Sequence, residues 1–110
     1  GPYSQGIAAG QTVYVSGQLS IDPATGAIPE GIAAQTAQSL KNIQAILAEQ
    51  GMTLADVVKT TVFLADMNDF AEMNKVYGEY FAQPFPARSA VQVAKLPKGA
   101  PLEIECIEVK

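Results

Sequence analysis

Two stretches of helical period alternate with four β-branched and aromatic runs, and that order limits the folds open to this chain more than any other feature. In "GIAAQTAQSLKNIQAILAEQG", Ile32, Ala33, Leu40, Ile43 and Leu47 recur at roughly helical spacing, and Gly51 is placed to end the turn. A helix is predicted over about 31–50. In "NDFAEMNKVYGEYF", Phe70, Met73, Tyr77, Tyr80 and Phe81 form a second apolar stripe, and Asp69 with Glu72 three residues on matches a capping box. Residues 12–18, 56–66, 88–96 and 101–109 read as strands. The segment 22–29 is a turn region punctuated by Pro23 and Gly26.

Strand, helix, strand, helix, strand, strand is the order of an α+β domain, here one domain over residues 1–110. The expected architecture is a single mixed β-sheet with two helices packed on one face. Hydrophobic residues make up 48% of the 110 and charged residues 16%, which supplies a core and argues against disorder. Two helices cover only one side of such a sheet. Val57, Phe63, Ile107 and Val109, beside polar Thr61 and Gln92, are expected on the other. Apolar residues on an uncovered face point to association with further copies.

Composition removes several chemistries. The chain has no histidine, so Ser-His-Asp and Cys-His nucleophile systems and histidine-rich metal sites are excluded. Net charge is −4 and the lysines are scattered, which disfavours nucleic-acid binding, where basic residues must meet phosphates. Gly17, Gly26 and Gly31 are too widely spaced for a dinucleotide or phosphate-loop fingerprint. One cysteine, Cys106, cannot form an internal disulfide, and its alternation with Ile104 reads as a buried small hydrophobe. No apolar run approaches the ~18 residues of a membrane span. A cytoplasmic location is the expectation.

Of seven cations only Arg88 is an arginine. It opens a strand in apolar surroundings (Phe85, Pro86, Ala87, Ala90). A surface ion pair is the plain explanation; a carboxylate clamp is the functional one, because a guanidinium grips both carboxylate oxygens at once. Glu103 alternates with Leu102 and Ile104 and shares a face with Glu105. It is either part of a solvated strand face or a carboxyl that positions and protonates, with a raised pKa in a dry site. The Pro97–Pro101 linker spans at most about 17 Å, so Glu103 starts its strand near the end of the previous one. Arg88 lies about eight residues back, roughly 25 Å at strand rise. The two are not expected to meet within one chain, so a shared site must lie between subunits. Tyr3, Ser16 and Asn74 are weaker candidates, readable as a frayed end, a turn hydroxyl and a core-edge amide.

The segments "GPYSQG", "VYVSGQLSIDPATG", "QTAQSLKNIQAIL", "DVVKTTVFLADMNDFAEMNKVY" and "FPARSAVQVAKLPKGAPLEIECIEV" together resemble the Rid family, also called the YjgF or reactive intermediate deaminase family. The resemblance runs the length of the chain, and "PARSAVQVAKLPK" followed by "EIE" is its most specific part. It implies a Bacillus chorismate mutase-like fold, a homotrimer with clefts between subunits, and hydrolysis of 2-imino and enamine acids such as 2-aminoacrylate and 2-iminobutyrate to 2-oxo acids and ammonia. It implies no metal and no organic cofactor. By the same resemblance Arg88 binds the substrate carboxylate and Glu103 serves the hydrolytic water. Tyr3, Ser16, Gly17 and Asn74 line the cleft. Many active members carry cysteine two residues after the arginine; here Ala90 stands there, which alters a pocket wall. Relatives also usually have an additional N-terminal segment before Gly-Pro-Tyr-Ser-Gln. The readings set against the deaminase are a non-enzymatic binder of small carboxylates or a chaperone-like module and, less favoured by the charge and the missing histidine, a ribonuclease or translation inhibitor.

Overall fold

The strand expected at 12–18 is the second arm of a hairpin. The computed structural model describes residues 1–110, and its first strand, β1 (Gly6–Ala9), pairs antiparallel with β2 (Thr12–Leu19) around a two-residue turn at Gly10–Gln11. Then follow α1 (Ile32–Glu49), β3 (Val57–Leu64), α2 (Phe70–Tyr80), β4 (Ala87–Gln92) and β5 (Leu102–Val109). The five strands form one sheet in the order β1-β2-β5-β3-β4. Only β3 and β4 are parallel, joined through α2; the other pairs are antiparallel. A parallel pair needs such a crossover, and a helix is the usual one. No helix is long and apolar enough to cross a membrane.

α1 ends where Gly51 takes φ 69°, a left-handed turn that glycine adopts at little cost. The Gly51 and Met52 N–H groups then donate to Ala48 and Leu47 carbonyls. The expected capping box at Asp69 and Glu72 is absent. Asp69 already has helical dihedrals and caps nothing, because a 3-10 turn over Met67–Asp69 precedes it; there Asp66 accepts from the Asn68 N–H. The chain's capping box is instead Thr53 with Asp56, at the entry to β3.

Both helices pack on one face of the sheet. Leu40, Ile43 and Leu47 of α1 and Met73 and Tyr77 of α2 join Val13, Val15, Val57, Val62, Leu64, Leu102, Ile104 and Cys106 in one core cluster. Cross-strand register assigns the faces. Rows Val15–Cys106–Thr60–Arg88 and Gln18–Ile104–Val62–Ala90 point toward the helices. Rows Ile7–Tyr14–Ile107–Lys59 and Leu19–Glu103–Phe63–Val91 point away. Two residues expected on the uncovered face are not there. A bulge between Val57 and Lys59 turns Val57 into the core, and Gln92 lies opposite Leu64, accepting the Met67 N–H. The uncovered face still carries exposed Ile7, Tyr14, Val91 and Val109.

Candidate functional site

The strand expected over 88–96 stops at Gln92, and this changes the distance between the two principal candidates. Arg88 pairs with Thr60 and Glu103 pairs with Phe63. The offset along the sheet is three residues, about 10 Å rather than 25. They remain apart for another reason: Arg88 points to the helix face and Glu103 to the uncovered face, two strands away. The chain therefore offers two half-sites facing opposite directions.

The first is built on the edge strand β4 and helix α2. Phe70, Asn74 and Tyr77, at i, i+4 and i+7, form one stripe of α2, and Arg88 reaches across to it. Its Nη1 donates to Asn74 Oδ1 at 2.7 Å, its single side-chain hydrogen bond. The guanidinium carbon lies 4.7 Å from the Tyr77 ring centroid and 5.5 Å from that of Phe70. The surface ion pair considered from sequence is not formed; rings and an amide hold the cation. The remaining N–H groups are free to grip an anion. Ala90, two residues on and on the same face, packs partly buried against the core.

The second half-site gathers at a bulge in β2 between Val15 and Gln18. Here Gly17 faces Glu103, and Ser16 lines the same cavity. A Cβ at Gly17 would lie 2.6 Å from Glu103 Cδ and 2.8 Å from Cγ, and would overlap Oε1, so glycine is what lets the carboxyl lie against β2. Ser16 donates its hydroxyl to the Ser4 carbonyl and its N–H to the Gln5 carbonyl, which draws the first residues across the bulge. Tyr3, 64% exposed, thereby comes to a cavity of about 840 Å³ that Ser16, Gly17, Glu103, Glu105 and Lys98 also line. Burial pushes the Glu103 carboxyl above its ordinary pKa, and the Glu105 charge beside it pushes the same way. A carboxyl so placed keeps more of its proton near neutral pH and can donate it.

Gly17→Ala is expected to displace the Glu103 side chain while leaving the unfolding free energy within about 1 kcal/mol of the parent, since the clash is with one side chain, from Cγ outward, and with no backbone. Turnover and thermal unfolding of that variant check this: turnover should fall while the midpoint holds.

Of the candidates named from sequence, Tyr3, Ser16, Gly17 and Glu103 assemble in the second half-site, and Arg88, Asn74 and Ala90 in the first. Sequence reasoning misses Tyr77 and Thr60 as neighbours of Arg88. The i, i+4, i+7 spacing from Phe70 through Asn74 marks Tyr77, but Thr60 becomes Arg88's neighbour only through the parallel register.

The chain is thus a two-helix, five-stranded mixed α+β sheet with Arg88 on its edge strand and Glu103 on its uncovered face. The model of the family described as endoribonuclease L-PSP matches residues 1–110, and the chain belongs to that family, whose members include Rid and YjgF proteins. It is 50% identical over 113 residues to the 2-iminobutanoate/2-iminopropanoate deaminase of Salmonella typhimurium, covering 100% of this chain and 88% of that protein. It is 56% identical over 111 residues to a RutC family protein of Pyrococcus horikoshii, again with 100% and 88% covered. The crystal structure of RidA from an Antarctic Psychrobacter superposes with a TM-score of 0.97 at 50% identity, over 100% of this chain and 89% of that one.

Proposed function

We propose that this protein hydrolyses 2-imino acids and their enamine tautomers, such as 2-iminobutyrate and 2-aminoacrylate, to 2-oxo acids and ammonia. The sites are clefts between the subunits of a homotrimer of chorismate mutase-like folds. The observation that carries the reading is the opposed pair of half-sites: a guanidinium with no anionic partner on one side of the sheet and, on the other, a carboxyl whose pKa burial raises. Two different patches facing opposite ways suit a head-to-tail interface, and such an interface closes as a ring where the rotation between copies returns to the start. The apolar residues of the uncovered face give that ring something to bury.

In the cleft, Arg88 holds the substrate carboxylate, fixing the imine carbon beside an ordered water. An enamine first takes a proton at its terminal carbon to become the iminium. Water adds to the iminium carbon and loses a proton. The carbinolamine nitrogen gains a proton, its hydroxyl gives one up, and the C–N bond breaks as the C=O bond forms, releasing ammonia and leaving the 2-oxo acid. Glu103 of the neighbouring subunit, its pKa raised, gives and takes these protons. Tyr3, Ser16, Gly17, Asn74 and Ala90 shape the wall. These steps use no cofactor. Ala90 offers no thiol, and none is needed to hydrate an imine.

The family description names an endoribonuclease, but a chain of net charge −4 without histidine is poorly equipped to hold RNA phosphates or cleave them. A simple carboxylate binder would need Arg88 and not Glu103. In Glu103→Gln, 2-oxobutyrate affinity is expected to stay within about threefold while 2-iminobutyrate turnover falls about 10²-fold or more, the usual range for losing a general acid–base. Parent protein that binds 2-oxobutyrate but hydrolyses 2-iminobutyrate no faster than water does would favour the binder, and full turnover in Glu103→Gln would remove the glutamate from the chemistry.

A further inference from the structure

The residues beneath Arg88 are arranged as a support. Arg88 stands on an edge strand, so β3 alone flanks it. Its cross-strand partner there, Thr60, is fully buried, and Thr60 Oγ1 lies 2.7 Å from the Tyr77 hydroxyl. Tyr77 rises from α2, passes its ring under the guanidinium at 4.7 Å, and ties its hydroxyl to the strand beside the arginine. Phe81, with ring centroids 4.5 Å apart, holds the same ring at its side. The ring is thus fixed at both ends. Burial pushes the Tyr77 hydroxyl above its ordinary pKa, so it stays a neutral phenol and offers the arginine no competing anion. One guanidinium face is taken by the ring and one Nη1 hydrogen by Asn74. The other N–H edges remain for two carboxylate oxygens.

We infer that Tyr77, anchored through Thr60, is a positioning residue that presents the Arg88 guanidinium to the substrate carboxylate. This rests on the deaminase reading above. A support of this kind acts equally on bound substrate and transition state, so its loss raises KM and spares kcat. Its effect is confined to ligands that carry a carboxylate.

The test is steady-state hydrolysis of 2-iminobutyrate together with the affinities of 2-oxobutyrate and 2-oxobutyramide followed by NMR. Tyr77→Leu removes the ring and is expected to raise KM about tenfold, the span of a desolvated cation–π contact, with kcat within about twofold. The oxo acid should weaken in step and the amide should not change. Thr60→Val removes only the tether in a near-isosteric way and is expected to raise KM about threefold. It carries the test alone if Tyr77→Leu does not fold. Tyr77→Phe cuts the same hydrogen bond, so combining it with Thr60→Val should add nothing further. Wild-type KM in folded Thr60→Val and Tyr77→Leu, or equal weakening of acid and amide, would overturn the positioning role. Unchanged KM in Arg88→Ala as well would overturn the deaminase reading beneath it.

Discussion

Arg88→Ala is expected to lower kcat/KM for 2-iminobutyrate about 10²-fold or more, with subunit assembly intact. The size follows from what is removed. Each hydrogen bond from an ionised group is worth about 1.5–3 kcal/mol, and a guanidinium can make two to one carboxylate. At about 1.4 kcal/mol per factor of ten, losing that pair reaches 10² without further terms. The loss is not shared by the fold. Arg88 makes one hydrogen bond and lies over two rings at a partly exposed edge, so its removal leaves no buried charge unpaired. Arg88→Lys keeps the charge but not the planar fork or the ring stacking, and is expected to recover only part of the activity. Kinetics alongside a sizing measurement check both. An assembled Arg88→Ala protein with unchanged kcat/KM would remove the substrate clamp from this account.

The second large effect concerns stability. Glu108 lies opposite Val13 and Val57 on the helix face of β5, is 0% exposed, and neither carboxyl oxygen has a hydrogen-bond partner. Burial raises its pKa; the neighbouring Cys106 thiol, too poorly placed to form a hydrogen bond outright, pulls the other way, and the Asp56 charge adds a smaller push upward. Below the unfolded carboxylate's pKa of about 4.3, both states hold the proton and no ionisation penalty exists. As pH rises, the unfolded chain ionises while the fold keeps its proton, so stability falls until the raised folded pKa has been passed. Glu108→Gln is therefore expected to stabilise the protein at pH 8, with the gain shrinking toward pH 4. Glu108→Met, which also removes the unpaired polar atoms, should gain more, within the ~1–3 kcal/mol that burying an unpartnered polar group costs. Denaturant midpoints at fixed protein concentration across that pH range check the sign. An unchanged or lowered midpoint at pH 8 would contradict it.

Much of this was readable in the chain because both helices and four of the five strands carry strong periodicity. Gly6–Ala9 was not, since Gly-Ile-Ala-Ala has a single β-branched residue and pairs only because the Gly10–Gln11 turn folds it back. Extending the β5 alternation of Leu102, Ile104 and Cys106 would have placed Glu108 in the core, but a lone core carboxyl is costly enough that the pattern alone argues poorly for it. Linker length and a strand of nine residues separate Arg88 from Glu103 by span alone, but β4 has six residues. What keeps them apart is the face each occupies, and face depends on register and on bulges such as those at Ser16–Gly17 and Val57–Lys59. Such information lies in pairings between distant segments, which spacing along one segment does not contain.

That opposition of faces is the centre of the account, and subunit mixing tests it most directly. Arg88→Ala and Glu103→Gln proteins, each inactive alone, are unfolded together in equal amounts and refolded. If each cleft takes its arginine from one subunit and its glutamate from the next, random ring assembly leaves roughly a quarter of the clefts with both residues intact. Roughly a quarter of wild-type turnover is expected to return. Mixed assemblies that form and remain as inactive as either parent would contradict a site shared between subunits.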